Sequence, residues 1–84
     1  MSYEVRLLSR AEKQLQSLDS LPYQSVKKQI YSLRENPRPP GCRKLTNQLG
    51  WRVRAGDYRI VYEIEDKSRV VTVLNVGHRK EIYR

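Results

Sequence analysis

The dipeptide Gly56-Asp57 lies between two segments of alternating polarity, Trp51 to Ala55 and Tyr58 to Glu65, and it constrains the chain more than any other feature. Glycine supplies a positive φ at the first central position of a two-residue hairpin turn, so the flanking segments read as paired antiparallel strands. A turn of that length pairs Ala55 with Tyr58, Val53 with Ile60 and Trp51 with Tyr62. Those residues share one face and belong to the core, which makes Trp51, Tyr58 and Tyr62 packing residues. The other face then carries Arg52, Arg54, Arg59 and Val61, with Arg54 directly across from Arg59. Like charges in opposed positions weaken a strand pair. A sequence selected for stability alone would avoid them, so this face is expected to serve a function. Guanidinium groups present a planar fork matched to phosphate, which makes phosphate the expected ligand. Arg59 is expected to face away from the core.

The remainder of the chain supplies elements to pack against that hairpin. Tyr3 to Leu8 alternates and reads as a first strand. Ser9-Arg10-Ala11-Glu12 fits a capping box that opens a helix, and Ala11, Leu15 and Leu18 form its apolar stripe. Asp19-Ser20 breaks this helix. Pro22 fits the first turn of a second one, striped by Val26, Ile30 and Leu33 and stopped by Asn36-Pro37. Lys27, Lys28 and Arg34 lie off the stripe. Arg38-Pro39-Pro40-Gly41 is a stiff connector. Arg43 to Leu49 reads as irregular, with Leu45 and Leu49 as anchors. Arg69 to Gly77 is apolar on both faces and reads as a strand inside the sheet. A three-residue loop at Asp66-Lys67-Ser68 would pair Glu65 with Arg69 and send Val73, Asn75 and Arg79 to the face that holds Arg59. The expected class is α+β: a small, antiparallel-dominated sheet of about four strands with two N-terminal helices on one face, in the order β-α-α-β-β-β. The 84 residues form a single domain.

The formal net charge is +8, an excess that favours an anionic partner. No acidic residue occurs between Glu35 and Asp57, a stretch that holds Arg38, Arg43, Lys44, Arg52 and Arg54. Cys42 is the sole cysteine, which excludes an internal disulfide. With one cysteine and one histidine a structural zinc site within one chain is not expected, and no cofactor motif is present. The start lacks an apolar leader and no run approaches a membrane span, so a cytoplasmic protein without a membrane partner is expected. Cys42 has no activating neighbour in sequence.

Three sequence blocks, Glu35-Asn36-Pro37-Arg38-Pro39-Pro40-Gly41, Gly56-Asp57-Tyr58-Arg59-Ile60-Val61-Tyr62 and Val76-Gly77-His78-Arg79-Lys80-Glu81-Ile82-Tyr83, occur in this order and at a spacing that resembles the RelE/ParE superfamily of bacterial toxins. The resemblance spans the whole chain. It implies the toxin of a type II toxin–antitoxin pair, with a cognate antitoxin protein as partner. On the RelE side it implies an enzyme that enters the ribosomal A site and cuts mRNA by attack of a 2′-hydroxyl on the adjacent phosphate, without a metal. ParE-like relatives share the fold but inhibit DNA gyrase and lack the nuclease residues. Arg59, Arg79 and Tyr83 stand where RelE-like nucleases carry their functional Arg, Arg and Tyr, which favours the RelE side. Two lysines of the RelE pattern fall on Gly50 and Arg52, so only one of those positions keeps a charge.

Such a cleavage needs a proton removed from the 2′-hydroxyl, a proton for the leaving oxygen, and charge stabilisation at the phosphorane. Arg59 and Arg79 suit the last task. His78 and Tyr83 are the candidates for proton transfer, with stacking on a base as a second role for Tyr83. Arg52, Arg54, Arg43, Lys44 and Lys80 are expected to hold the RNA backbone.

Overall fold

A computed structural model of the chain describes residues 2–46 and 50–78. Polar–apolar alternation makes β1 (Glu4–Leu7), and its apolar residues Val5 and Leu7 are half-buried while Glu4 and Arg6 are exposed. α1 (Ser9–Gln16) follows at once. The expected capping box does not form. Leu8, in extended conformation, occupies the N-cap position, and no side chain caps the helix. The Leu8 N–H donates to Val73 O at 3.0 Å and the Glu12 N–H to Leu8 O at 2.9 Å. β1 therefore hands directly to the helix, and Ser9 is already inside the first turn rather than in front of it.

α2 (Ser20–Ser32) starts behind Asp19 and carries Pro22 in its first turn, as expected. Ala11 and Leu15 of α1 join Val26, Ile30 and Leu33 in the core, while Lys27, Lys28 and Arg34 are exposed. The sheet has five strands in the order β1-β5-β4-β3-β2. These are β2 (Arg43–Lys44), β3 (Trp51–Ala55), β4 (Tyr58–Glu65) and β5 (Val70–His78) in addition to β1. The fifth strand, beyond the roughly four expected, is β2, which pairs with β3 at a stretch read as irregular from sequence. Leu49 lies outside the described residues. All strand pairs are antiparallel except β1 with β5, which is parallel.

The hairpin register is the expected one: Trp51 faces Tyr62, Val53 faces Ile60, Arg54 faces Arg59 and Ala55 faces Tyr58. Gly56 takes φ +63°, as its turn position requires. The next hairpin differs. Glu65 pairs with Val70 rather than Arg69, so the loop runs over four residues, Asp66 to Arg69. Arg69 adopts φ +56° to close it. This register turns Val71 and Val73 onto the core face, where both are fully buried. A bulge between Val61 and Tyr62 then takes up Leu74 and restores the alternation, so Asn75 still reaches the arginine face, opposite Val61. Burial decided the outcome: the longer loop buries two valines that the shorter loop would have left on a charged surface.

The proline-rich connector is tied across the end of the sheet. The buried Tyr62 hydroxyl donates to Pro37 O at 2.7 Å. Arg38 holds Asp66 with two hydrogen bonds, of 3.2 and 2.9 Å, and its guanidinium lies 5.1 Å from the Trp51 ring centroid. The Tyr3 hydroxyl donates to the same carboxylate at 2.7 Å. One acidic residue in the β4–β5 loop thereby joins the N-terminal segment, the connector and the sheet.

Candidate nucleic-acid interface

The helices cover one face of the sheet, and the residues of opposite parity make the other. Two rows cross that second face. Arg43 pairs with Arg52, Arg52 with Val61, and Val61 with Asn75. Beside them Arg54 pairs with Arg59 and Arg59 with Gly77. Four arginines from three strands thus share one end of one face, near the Gly56-Asp57 turn. Further along the same face the register places Glu63, Thr72 and Arg6 in a third row. Positive potential is therefore concentrated at the hairpin end.

The arginines are not equivalent. Arg43 and Arg54 are exposed and Arg52 is half-exposed. Arg59 is 3% exposed, the one charged residue in the interior among the described residues. The expectation of an arginine on an open surface is corrected here. Parity does turn Arg59 away from the helix-covered face, but its side chain is enclosed there rather than open to water. Among the described residues, no buried side-chain nitrogen or oxygen lacks a hydrogen-bond partner, so the interior placement of Arg59 is compensated.

His78 pairs with Tyr58, which puts it on the side of the sheet opposite to Arg59. The two rings meet edge to face with centroids 5.5 Å apart. The structure does not gather His78 and Arg59 on one face. Lys44 pairs with Trp51 and so also lies on the opposite side from Arg52. Arg79, Lys80 and Tyr83 lie outside the described residues. Gly50, at a position where the RelE pattern has a lysine, takes φ +121°, and a Cβ there would stand 3.0 Å from Tyr62 O. No side chain fits that site without moving the backbone.

Among the described residues no strand pairs with the outer edge of β5 beyond Val73, because β1 ends at Leu7. Side chains of α1 fill the vacancy. Arg10 Nε donates to Leu74 O at 3.2 Å, and Gln14 Oε1 accepts from Val76 N at 2.7 Å. Sequence reasoning missed these two polar residues. The available signal was their position on α1, close to the apolar stripe. Burial, followed by the nearby Cys42, pushes the Tyr62 phenol far above its ordinary value, so this group stays a neutral donor. Among the described residues no three His, Cys, Asp or Glu side chains come together as a metal site, and no helix is long and apolar enough to cross a membrane.

The family profile described as the ParE toxin of the type II toxin–antitoxin system parDE matches residues 5–83. The chain belongs to this family of toxins. It is 31% identical to the mRNA interferase toxin RelE of Escherichia coli K12 over 99% of its own length and 92% of that protein's. It is 32% identical to Toxin RelG of Mycobacterium tuberculosis over 100% of its length and 99% of that protein's. Its fold superposes on the toxin–antitoxin complex RelBE2 of M. tuberculosis with a TM-score of 0.83 and 27% identity, covering 94% of this chain and 100% of that one. The fold and the toxin family expected from sequence are both borne out. The family profile carries the ParE name, and these relatives carry the names RelE and RelG.

A cavity of about 730 Å³ lies away from the arginine face. Val5 and Leu7 of β1, Leu15 of α1 and Ile30 of α2 line its apolar part, with Lys27, Arg34 and Arg69 among the residues around it.

Proposed function

We propose that this toxin is a metal-independent endoribonuclease that cleaves mRNA in the ribosomal A site by 2′-hydroxyl attack. The observation that carries the reading is the opposition of Arg54 and Arg59 on a face that collects four arginines. Exposed Arg43 and Arg54 and half-exposed Arg52 hold the RNA backbone, a role that places the substrate without reading its sequence. Arg59 stabilises the phosphorane. Enclosure fixes its guanidinium and removes water from around it, which strengthens its field at a developing charge. A phosphate reaches so enclosed a group only when the face opens on binding. The ribosome supplies that constraint, together with the in-line geometry.

Arg79 joins Arg59 in this reading, Lys80 adds backbone charge, and Tyr83 transfers a proton or stacks on a base. His78, across the strand and against Tyr58, fits the task of holding the strand end better than that of carrying a proton. The partner is an antitoxin with acidic and apolar segments that order as they bind. The net charge of +8 and the apolar cavity between β1 and α2 support that partner.

Primer extension on mRNA in a translating extract tests the reading. Cuts at ribosome-occupied codons are expected, and naked RNA should be cut far more slowly. A second reading, inhibition of DNA gyrase, is favoured by the family profile over residues 5–83. Loss of supercoiling activity with no ribosomal cleavage would establish it in place of the first.

A further inference from the structure

The open edge of β5 sets the hydrogen-bonding polarity of a residue on the arginine face. Val76 N–H can only donate, so the Gln14 atom 2.7 Å away is its carbonyl oxygen. This fixes the orientation of the whole Gln14 amide. Its Nε2 then points at Asn75 Oδ1, at a distance of 3.5 Å. A donor facing Asn75 holds the Asn75 carbonyl inward, and the Asn75 amino group is left to face outward. Asn75 stands on the arginine face, directly across from Val61 and diagonal to Arg59. At such spacing the two side chains can meet neighbouring groups of one ligand. Asn75 is half-buried, so it has a defined place and an accessible edge.

We propose that Asn75, oriented by Gln14, is a specificity-determining residue that donates to the base beside the cleaved phosphate. This rests on the endoribonuclease reading above. The free amide reads a base differently from an amide that offers both a donor and an acceptor. An unconstrained asparagine matches adenine, whose N7 accepts and whose N6 amino group donates. An asparagine that shows only its amino group finds a single acceptor on adenine, N7, with the N6 amino donor beside it. It is satisfied by guanine, whose O6 and N7 both accept. The arrangement therefore selects guanine over adenine at that position. The source of selectivity is the Val76–Gln14–Asn75 relay, none of which needs to take part in the chemistry.

Two isosteric variants reverse the polarity by separate routes. Asn75→Asp replaces the outward amino group with an acceptor. Gln14→Glu leaves Asn75 intact. Its carboxylate still accepts from Val76 N–H, but it offers Asn75 no donor, so the Asn75 amide turns over and presents its carbonyl outward. The experiment maps the 5′ ends of ribosome-bound mRNA cut by the wild type and each variant, with thermal melts to confirm folding. The wild type should favour guanine over adenine by about tenfold, the scale of one well-placed base contact. Both variants should shift the ratio toward adenine by a similar factor. Ribosomal cleavage by the wild type with the same base preference in both folded variants would overturn the assignment and leave the nuclease reading standing. Absence of cleavage by the wild type would remove the nuclease reading and this inference with it.

Discussion

Arg54 and Arg59 face each other across the β3–β4 pair, yet one is exposed and the other is 3% exposed. The repulsion is mutual, but only Arg54 can relieve it by swinging into water. An opposition of this kind persists only if the enclosed charge is compensated or serves a purpose.

Arg59→Ala should cost on the order of 10²-fold or more in single-turnover cleavage on ribosomes, the effect of one electrostatic donor. It should also lower stability, because it empties an enclosed site and strands the groups that pair with the guanidinium; about 1–3 kcal/mol is expected. Arg59→Lys separates the two effects. It keeps a positive charge and most of the stem, so it should melt closer to the wild type while losing the planar fork and most of the rate. A melting temperature for Arg59→Ala equal to the wild type's would contradict the enclosure of this residue.

Tyr62→Phe removes the hydroxyl that donates to Pro37 O, leaving a buried carbonyl without its partner. A loss of about 1–3 kcal/mol follows, or roughly 4–8 °C in melting temperature for each kcal/mol in a domain of this size. Because the phenol is pushed up by burial, spectrophotometric titration should show fewer tyrosines ionising in the folded protein than after unfolding, with Tyr62 among those held back.

Gly50→Ala puts a Cβ 3.0 Å from Tyr62 O on a backbone at φ +121°. Neither the strand carbonyl nor the backbone conformation yields cheaply, and a cost of about 1–3 kcal/mol is expected. Chemical denaturation measures it. A variant as stable as the wild type would show that this entry into β3 can relax.

Asp66 governs a pH dependence. The Arg38 guanidinium first, then the Tyr3 hydroxyl, hold its carboxyl below the usual carboxylate range. A depressed folded-state pKa contributes stability above the unfolded-state value and loses it as pH falls through the folded-state one. Melting temperature should thus decline on acidification below the ordinary aspartate range, and Asp66→Asn should remove that part of the decline. The pair is well exposed, so the effect is small. Identical pH profiles for the two proteins would reject the contribution.

Much of the architecture was legible in the sequence because it rests on local rules. Gly56-Asp57 dictates a two-residue turn, and period-two alternation then dictates which residues of β3 and β4 share a face. The arginine face followed from that parity alone. The α1 and α2 stripes were legible for the same reason, through a period that places Ala11 with Leu15 and Val26 with Ile30. What the sequence could not decide was anything set by packing between distant segments. The length of the β4–β5 loop was settled by the burial of Val71 and Val73 against helices more than 35 residues earlier in the chain, and the bulge at Leu74 by the need to restore parity afterwards. The enclosure of Arg59 is a property of the assembled fold, since parity assigns it a face but not its burial. The relay from Val76 through Gln14 to Asn75 depends on where β1 ends beside β5. Alternation and turn chemistry act over a few residues and are written in the chain; burial, strand order and edge filling are properties of the assembled fold, and they decided which of the arginines is enclosed and which way an asparagine beside them faces.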